Sequence, residues 1–468
     1  MSFQKINEDD IKFFQLALTE KYVLMDEENI ARCSGDQTED LKFPPEVVLQ
    51  PGSTDEVSAV MKYCNEHMIP VTPRGAGTGL SGGALPVWGG VALDMRRFNK
   101  ILHVDKRNFQ VTTEPGVITQ ELQEHLRAEG LFYPPDPASK GSCFIGGNVS
   151  ENSGGPRAVK YGVVKDYVLN LEIVLPSGDI MWTGANVLKN ATGYNLTQLL
   201  VGSEGTLGVI TKIVLRLIPA VKYDLLLLVP FRSAVQACEA VNAIFMAGYT
   251  PSALEFMERD ALEWSMRYSQ STGVNLPADI AAHLLIEVDG NHMDEMYRDA
   301  EAISQIVQQY DIDEILFADS YEQKQMLWVL RRKVGEAVKS NSIYKEEDTV
   351  VPRAELPALL KTIKELGQEF GFHSVCYGHA GDGNLHVNIV KGEMSDDDWA
   401  HKLPQGIRKL FTAVVALGGT ISGEHGIGWV QKEYMDIAFS GLQLQIMKQL
   451  KHTFDPKGIL NPGKIFMS

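Results

Sequence analysis

The chain of 468 residues contains five cysteines, and none of them stands in a C-x-x-C pair. Without such spacing we expect neither an iron–sulfur cluster nor a structural zinc site within the chain. An odd, scattered set of cysteines is typical of reduced thiols, and residues 1–10 lack the apolar core of a signal peptide, so the sequence predicts a cytoplasmic protein. The five are Cys33, Cys64, Cys143, Cys238 and Cys376.

Long apolar runs and positive charge are also lacking. No stretch approaches the roughly 18 uncharged apolar residues of a membrane span, so none is expected. A net charge of -17 argues against nucleic acid and anionic membranes as partners. It also means that an anionic substrate needs a local cationic site. The length predicts two or three domains.

Glycine density divides the chain. It is high up to Pro219, falls beyond it, and rises again from Gly418. Strands and helices alternate beyond Pro219, which indicates a separate α+β domain. We therefore predict an α+β fold with a helical appendage over residues 1–40, a first domain over 41–219, an α+β domain over 220–417, and a C-terminal segment over 418–468 that packs back on the first domain.

Three glycine-rich segments lie in the first half. Gly77-Thr-Gly-Leu-Ser-Gly82 matches G-x-G-x-x-G after a strand, but the following residues 83–90 cannot form the helix that a nicotinamide-dinucleotide fingerprint requires. The loop can still wrap a pyrophosphate, because glycine permits positive φ and close backbone approach. The other two segments cover residues 134–155 and 201–210.

Two stretches near the C-terminus offer metal-binding groups. In 384–389, polar and apolar residues alternate, which predicts a strand with His386 and Asn388 on one face. The turn at 381–383 allows His379 to fold back beside His386, while Glu424 and His425 come from a distant glycine-flanked loop. This set can hold one divalent metal with a base beside it, and mixed N/O ligation suits zinc, manganese or iron(II).

Three motifs, at 74–79, 146–150 and 202–208, resemble the FAD-binding domain of vanillyl-alcohol-oxidase-type flavoproteins. The second half is similar to the FAD-linked oxidase C-terminal domain of D-lactate dehydrogenases and glycolate oxidase large subunits. The resemblance covers about residues 40–468. It implies an FAD-binding domain of two α/β subdomains, followed by a substrate, or cap, domain with an antiparallel sheet. The cofactor-binding residues that it implies are Arg74, Gly75, Ala76, Gly77, Thr78, Gly79, Pro135, Asp136, Ser139, Gly147, Asn148, Ser150, Gly154, Gly155, Tyr161, Gly162, Glu204, Gly205, Gly208 and Ile210.

The first glycine loop contains neither His nor Cys, so we infer non-covalent FAD. The resemblance implies His379, His386 and Glu424 as metal ligands and His425 as the base that removes the substrate hydroxyl proton while a hydride passes to flavin N5. Arg74 and Lys464 are further candidates for contacts near the flavin.

The resemblance also concerns the substrate. It implies Arg331, the first Arg after W-x-L, as the ligand of the substrate carboxylate, and Asn388 can hold the substrate oxygens. Relatives that oxidise larger diacids carry Thr four residues after that Arg, whereas this chain has Gly335, which favours a small substrate.

The favoured interpretation is a metal-dependent flavoprotein dehydrogenase of a small D-2-hydroxy acid, D-lactate first. Glycolate and D-2-hydroxyglutarate remain alternative substrates. A non-catalytic FAD subunit that relays electrons and a flavin-free metal hydrolase are alternatives of other classes. Because the chain has no cluster motif, electrons must leave for an external acceptor, for which we expect a soluble protein such as an electron-transferring flavoprotein or an iron–sulfur subunit.

Overall fold

The structure is a computed structural model that describes residues 3–38, 41–271 and 273–467. The chain forms two compact units. The first comprises Met1–Gly154, Val163–Ala220 and Glu424–Ser468, and the second comprises Gly155–Gly162 and Val221–Gly423. Each unit has its own sheets, so the fold class is the α+β arrangement predicted from the sequence.

The first unit contains a four-stranded and a five-stranded sheet and a two-stranded ribbon. The four-stranded order is β1-β2-β4-β3, parallel except for β1, and the five-stranded order is β5-β6-β10-β8-β9, antiparallel throughout. In the ribbon, β7 pairs with β11. The strands are β1 Val23–Leu24, β2 Val47–Leu49, β3 Val71–Arg74, β4 Val91–Asp94, β5 Ile101–Asp105, β6 Gln110–Thr113, β7 Leu131–Phe132, β8 Val168–Val174, β9 Ile180–Trp182, β10 Val209–Arg216 and β11 Ile218–Pro219.

The helices of the first unit cover these sheets. Thr54–His67 begins at Ser53, whose Oγ accepts a hydrogen bond from the backbone N–H of Glu56 at 3.2 Å. It leads into β3, which ends at the first glycine loop. The α-helices of this unit are Glu8–Leu18, Glu27–Ser34, Thr54–His67, Thr119–Ala128, Ile145–Glu151, Leu196–Leu200, Met435–Ala438 and Gly441–Phe454.

The N-terminal stretch is part of the first unit rather than an appendage. Phe14 and Leu18 are buried in one core cluster with Val47 and Leu49, and β1 extends the four-stranded sheet. The helix Glu8–Leu18 joins this unit because its buried apolar side chains, Phe14 and Leu18, pack in the core of the unit. Of the stretch assigned to the appendage, residues 1, 2, 39 and 40 lie outside the described residues.

The second unit is built on one seven-stranded antiparallel sheet, in the order β15-β12-β14-β13-β17-β18-β16. Its strands are β12 Tyr223–Phe231, β13 Ala253–Glu258, β14 Ala282–Gly290, β15 Leu316–Ala318, β16 Tyr344–Val350, β17 His373–Gly378 and β18 Asn384–Val390. The α-helices are Ala158–Tyr161, Ala234–Met246, Arg259–Tyr268, Met293–Val307, Tyr321–Arg332, Val334–Asn341, Leu356–Phe370 and Leu403–Ala416.

Residues 155–162 belong to the second unit, although the sequence division placed them in the first domain. Ion pairs and a hydrogen bond explain the difference. Arg157 Nη2 lies 3.2 Å from Glu287 Oε1, and Tyr161 Oη donates to Asp289 Oδ2 at 2.7 Å. The second unit also extends to Gly423, beyond the predicted division at 417/418, while the Ala220/Val221 division differs from the predicted one by a single residue.

Among the described residues, every helix is too short or too polar to cross a bilayer.

Candidate functional site

The first unit contains a cleft of about 1320 Å³, including its solvent-open part, and the three glycine segments line it. This common lining is what a large bound cofactor requires. The residues of the predicted cofactor set that line the cleft are Arg74, Gly75, Ala76, Gly77, Thr78, Gly79, Ser139, Gly147, Asn148, Ser150, Glu204, Gly205, Gly208 and Ile210.

Glycine is required at one point of the first loop. Gly77 has φ +74°, and a Cβ there would lie 2.2 Å from Nη2 of Arg74. That guanidinium donates to the backbone carbonyls of Gly35 at 2.7 Å and Arg32 at 3.1 Å. Arg74 therefore lines the cleft, but its charged group also binds the C-terminal end of the helix Glu27–Ser34.

The remaining predicted cofactor residues lie elsewhere. Pro135, Asp136 and Gly154 lie outside the cleft lining, and Gly155, Tyr161 and Gly162 belong to the second unit. At Gly154 a Cβ would meet Glu424 Oε2 at 2.8 Å, so this glycine makes room for the Glu424 carboxylate. A direct contact of these residues with a cofactor stays a prediction.

Glu424 and His425 also line the cleft. Glu204, from the third glycine segment, holds the backbone that follows them: its Oε1 accepts from the N–H of Ile427 at 2.8 Å and its Oε2 from the N–H of Gly428 at 2.6 Å. Two hydrogen bonds to one buried side chain hold this loop in place, while burial raises the pKa of Glu204.

A buried charge cluster lies next to this loop. Burial, followed by the charge of Glu204, raises the pKa of Glu151 well above its ordinary value. Burial lowers the pKa of Lys464 to about 7, against the opposing effect of nearby carboxylates. The Lys464 ammonium donates to the Leu85 carbonyl at 2.5 Å and to Asn461 Oδ1 at 3.1 Å, and Lys464 lies outside the cleft lining.

In the second unit, the two predicted histidine ligands lie side by side. The rings of His379 and His386 are 5.4 Å apart between centroids, at an interplanar angle of 83°. His386 lies on β18, and the turn at 380–383 reverses the chain so that His379 returns beside it, as the sequence predicts. Both side chains are buried.

One carboxylate fixes the His379 ring. Both Glu255 oxygens lie 2.9 Å from His379 Nδ1, so Nδ1 carries the proton and Nε2 keeps its lone pair for a metal. Burial raises the pKa of Glu255, but its interactions with His379 and then with Arg331 outweigh that effect, and the net shift is downward. Glu255 is therefore an anion inside the unit.

Arg331 and Asn388 provide polar groups near these histidines. Arg331 Nη2 lies 2.7 Å from Glu255 Oε2, while its Nε makes no hydrogen bond to the described chain. Asn388 shares a strand face with His386 and is fully buried; its amide makes no hydrogen bond of good geometry among the described residues, although it lies close enough to the Tyr377 hydroxyl to interact with it. Each buried polar group that lacks a hydrogen bond costs about 1–3 kcal/mol of stability. Groups of this kind are typical of a site that binds a ligand.

The predicted site residues thus fall into two sets. His379, His386, Arg331 and Asn388 lie in the second unit, and Glu424 and His425 lie in the first. Two imidazoles, one of them oriented by a carboxylate, fit a divalent metal of the zinc, manganese or iron(II) type.

The sequence analysis did not identify three residues that contact the candidate site groups, namely Glu255, Glu346 and Tyr377. A signal for Glu255 was present: in Ala-Leu-Glu-Phe-Met-Glu it is a charged residue with apolar neighbours on both sides in a buried strand. Such a residue predicts a buried partner of opposite charge.

Comparison with known proteins decides the family. The FAD-linked oxidase C-terminal domain family matches residues 222–465, and the FAD-binding domain family matches residues 45–184. The chain belongs to the FAD-linked oxidase family.

Curated relatives of this chain, an FAD-linked oxidoreductase, support the same family assignment. It is 40% identical to a D-lactate dehydrogenase of Anaerostipes hadrus, over 91% of this chain and 90% of the relative. It is 39% identical to the glycolate oxidase subunit GlcD of Bacillus subtilis strain 168, over 94% and 93%. The solved structure of p-cresol methylhydroxylase with substrate bound shares the fold, with a TM-score of 0.79, 16% identity and coverage of 98% of this chain and 96% of that one.

Proposed function

We propose that this flavoprotein is a dehydrogenase that oxidises a small D-2-hydroxy acid to the 2-oxo acid, with D-lactate favoured over glycolate. The observation that carries the proposal is the cluster of buried polar side chains in the second unit, where a histidine pair, an arginine and a buried asparagine lie close together. The names of the two relatives describe enzymes for such acids.

Arg331 and Asn388 bind the substrate in this proposal. The Arg331 guanidinium attracts the carboxylate, and its Nε donor has no competing partner in the described chain. The Asn388 amide offers a donor and an acceptor to the hydroxyl and carboxylate oxygens. Together they orient the Cα–H bond.

His379, His386 and Glu424 are the proposed ligands of one divalent metal, and His425 is the proposed base. When bound, FAD supplies a two-electron acceptor and the metal a Lewis acid that makes the substrate hydroxyl easier to deprotonate. His425 takes that hydroxyl proton. Glu204 supports this role because it fixes the backbone at 427–428, directly after the base.

The FAD is proposed to be non-covalent. Cys143 is buried and lies outside the cleft lining, with its Sγ 3.3 Å from Thr119 Oγ1. Electrons then pass to an external protein acceptor, an electron-transferring flavoprotein or an iron–sulfur subunit. A cytoplasmic location stays a prediction from the sequence.

A dye-linked assay tests the proposal. The purified protein is mixed with a redox dye and, in turn, D-lactate, L-lactate, glycolate and D-2-hydroxyglutarate. The proposal predicts the highest kcat/KM for D-lactate and no turnover of L-lactate. Dye reduction by none of the four acids would contradict it and favour an electron-relay subunit.

A further inference from the structure

Tyr377 lies next to Gly335, a residue without a side chain. A Cβ on Gly335 would lie 3.1 Å from Tyr377 Oη, closer than ordinary van der Waals contact. The Tyr377 ring lies 5.0 Å from Arg331 Cζ and 5.2 Å from the His386 ring. Tyr377 thus fills the space between the arginine, residue 335 and the histidine pair.

The far end of Tyr377 meets a carboxylate. Its hydroxyl donates to Glu346 Oε1 at 3.2 Å, and the same oxygen lies 3.6 Å from His386 Nδ1. The Glu346 side chain is only 11% exposed, so water screens its charge weakly.

These groups share one face of the sheet. In the strand register, Tyr377 and Asp348 pair with His386, and Glu346 pairs with Asn388. Residues directly opposite each other on an antiparallel pair project to the same side, so Glu346 and Asn388 are neighbours there. A substrate held by Asn388 therefore lies next to the Glu346 carboxylate.

The local charge then discriminates between acids. Arg331 is one cation, and Glu255 already lies 2.7 Å from its Nη2. A substrate with one carboxylate binds Arg331 through that group. The second carboxylate of a dicarboxylate would lie close to the Glu346 carboxylate or overlap the Tyr377 ring. Like charges at close range in a weakly screened site repel strongly.

We propose that Tyr377 and Glu346 form a substrate filter that admits 2-hydroxy acids with one carboxylate and a small uncharged side chain and rejects dicarboxylates. The filter rests on the proposed function, because it acts on the acid that Arg331 and Asn388 bind. The filter also explains why residue 335 is a glycine: a Cβ there would lie 3.1 Å from Tyr377 Oη and would push the hydroxyl aside.

Glu346→Gln tests the filter, since it removes the charge while keeping a hydrogen-bond acceptor for Tyr377. We would measure kcat and KM for D-lactate and D-2-hydroxyglutarate in wild type, in Glu346→Gln and in Glu336→Gln. Glu336 is a matched control because it lies on the same helix as Gly335. Its side chain is half exposed, and its carboxylate pairs with Lys333. Tyr377→Ala is a second variant that opens volume.

Wild type should prefer D-lactate by about 100-fold or more in kcat/KM, and Glu346→Gln should narrow this ratio about tenfold, chiefly through KM for the diacid. Glu336→Gln should keep the wild-type ratio. Dissociation constants of pyruvate and 2-oxoglutarate, read from the flavin absorbance of the oxidised protein, should shift in the same way without turnover.

Equal use of both acids by wild type, or an unchanged ratio in both Glu346→Gln and Tyr377→Ala, would overturn the filter while the proposed function stood. Turnover of neither acid, with neither product binding, would overturn the proposed function and the filter with it.

Discussion

Nδ1 of His379 lies 2.9 Å from both carboxylate oxygens of Glu255, in the buried interior of the second unit. This contact fixes which ring nitrogen carries the proton and which faces outward for coordination. The same carboxylate lies 2.7 Å from Arg331, so one residue orients a proposed metal ligand and the proposed substrate cation together.

Glu255→Gln should therefore weaken metal binding. The amide cannot hold His379 as an anion does, and losing a carboxylate that orients a metal-binding histidine costs about 10–100-fold in metal affinity. Metal content after dialysis, measured by elemental analysis, checks this. Glu258→Gln is the matched control, because Glu258 lies on the same strand and pairs with Lys364 at 2.7 Å. Equal metal loss in both variants would mean that the effect is general destabilisation.

His386→Ala should remove metal and activity while FAD stays bound, because His386 lies outside the residues that line the cleft. A loss of about 10²–10³ in rate is the scale for one major electrostatic contributor. Absorbance for flavin and elemental analysis for metal are read on the same sample. A variant that kept its metal and near-normal turnover would show that the ligand assignment is wrong.

His425→Ala should behave differently. A general base contributes about 10²–10⁴ in rate and does not hold the metal, so metal content should survive while flavin reduction slows. In wild type the reduction rate should rise with pH as the base loses its proton, and this dependence should vanish in the variant. Stopped-flow reduction over a pH series measures both. The same rate and pH profile in the variant would assign the base role to another group, His379 first.

The FAD should leave the protein on denaturation. The first glycine loop has no His or Cys, and Cys143 lies outside the cleft lining. Acid precipitation followed by absorbance of pellet and supernatant checks this, with release to the supernatant as the expected result. Yellow colour retained in the washed pellet would indicate a covalent link.

Lys464 should make stability depend on pH. Its pKa is about 7 in the folded chain and about 10.4 in an unfolded one, so the unfolded state binds more protons between these values. Lys464 should therefore add a rise of at most about 1.4 kcal/mol per pH unit to the free energy of unfolding in that window.

Lys464→Met should remove this slope in denaturant titrations at pH 7, 8 and 9. Lys448→Met, at an exposed lysine whose Nζ donates to the Met467 carbonyl, should keep it. An identical slope in wild type and Lys464→Met would show that the buried amine is charged in the folded chain.

Local patterns in the sequence were sufficient for several elements. The alternation in 384–389 predicted a strand and the shared face of His386 and Asn388, and the turn at 381–383 predicted the return of His379; the observed strand is Asn384–Val390. These features depend on neighbours within a few residues, where backbone geometry alone sets direction.

Long-range pairing was beyond such patterns. The sequence from Tyr321 to about residue 340 has a helical pattern, but in the structure one helix ends at Arg332 and a second begins at Val334. Glu255 reaches His379 across 124 residues, and residues 155–162 join the second unit through Glu287 and Asp289. Charge pairs of this kind become visible only when the strands are in register.

The most direct test of the account is anaerobic mixing of the purified protein with D-lactate, followed by the flavin absorbance near its visible maximum. The account predicts complete bleaching with D-lactate, none with L-lactate, loss of bleaching after the metal is removed with a chelator, and recovery when a divalent metal is added back. A flavin that stays oxidised with D-lactate, or one that bleaches equally well without metal, would contradict it.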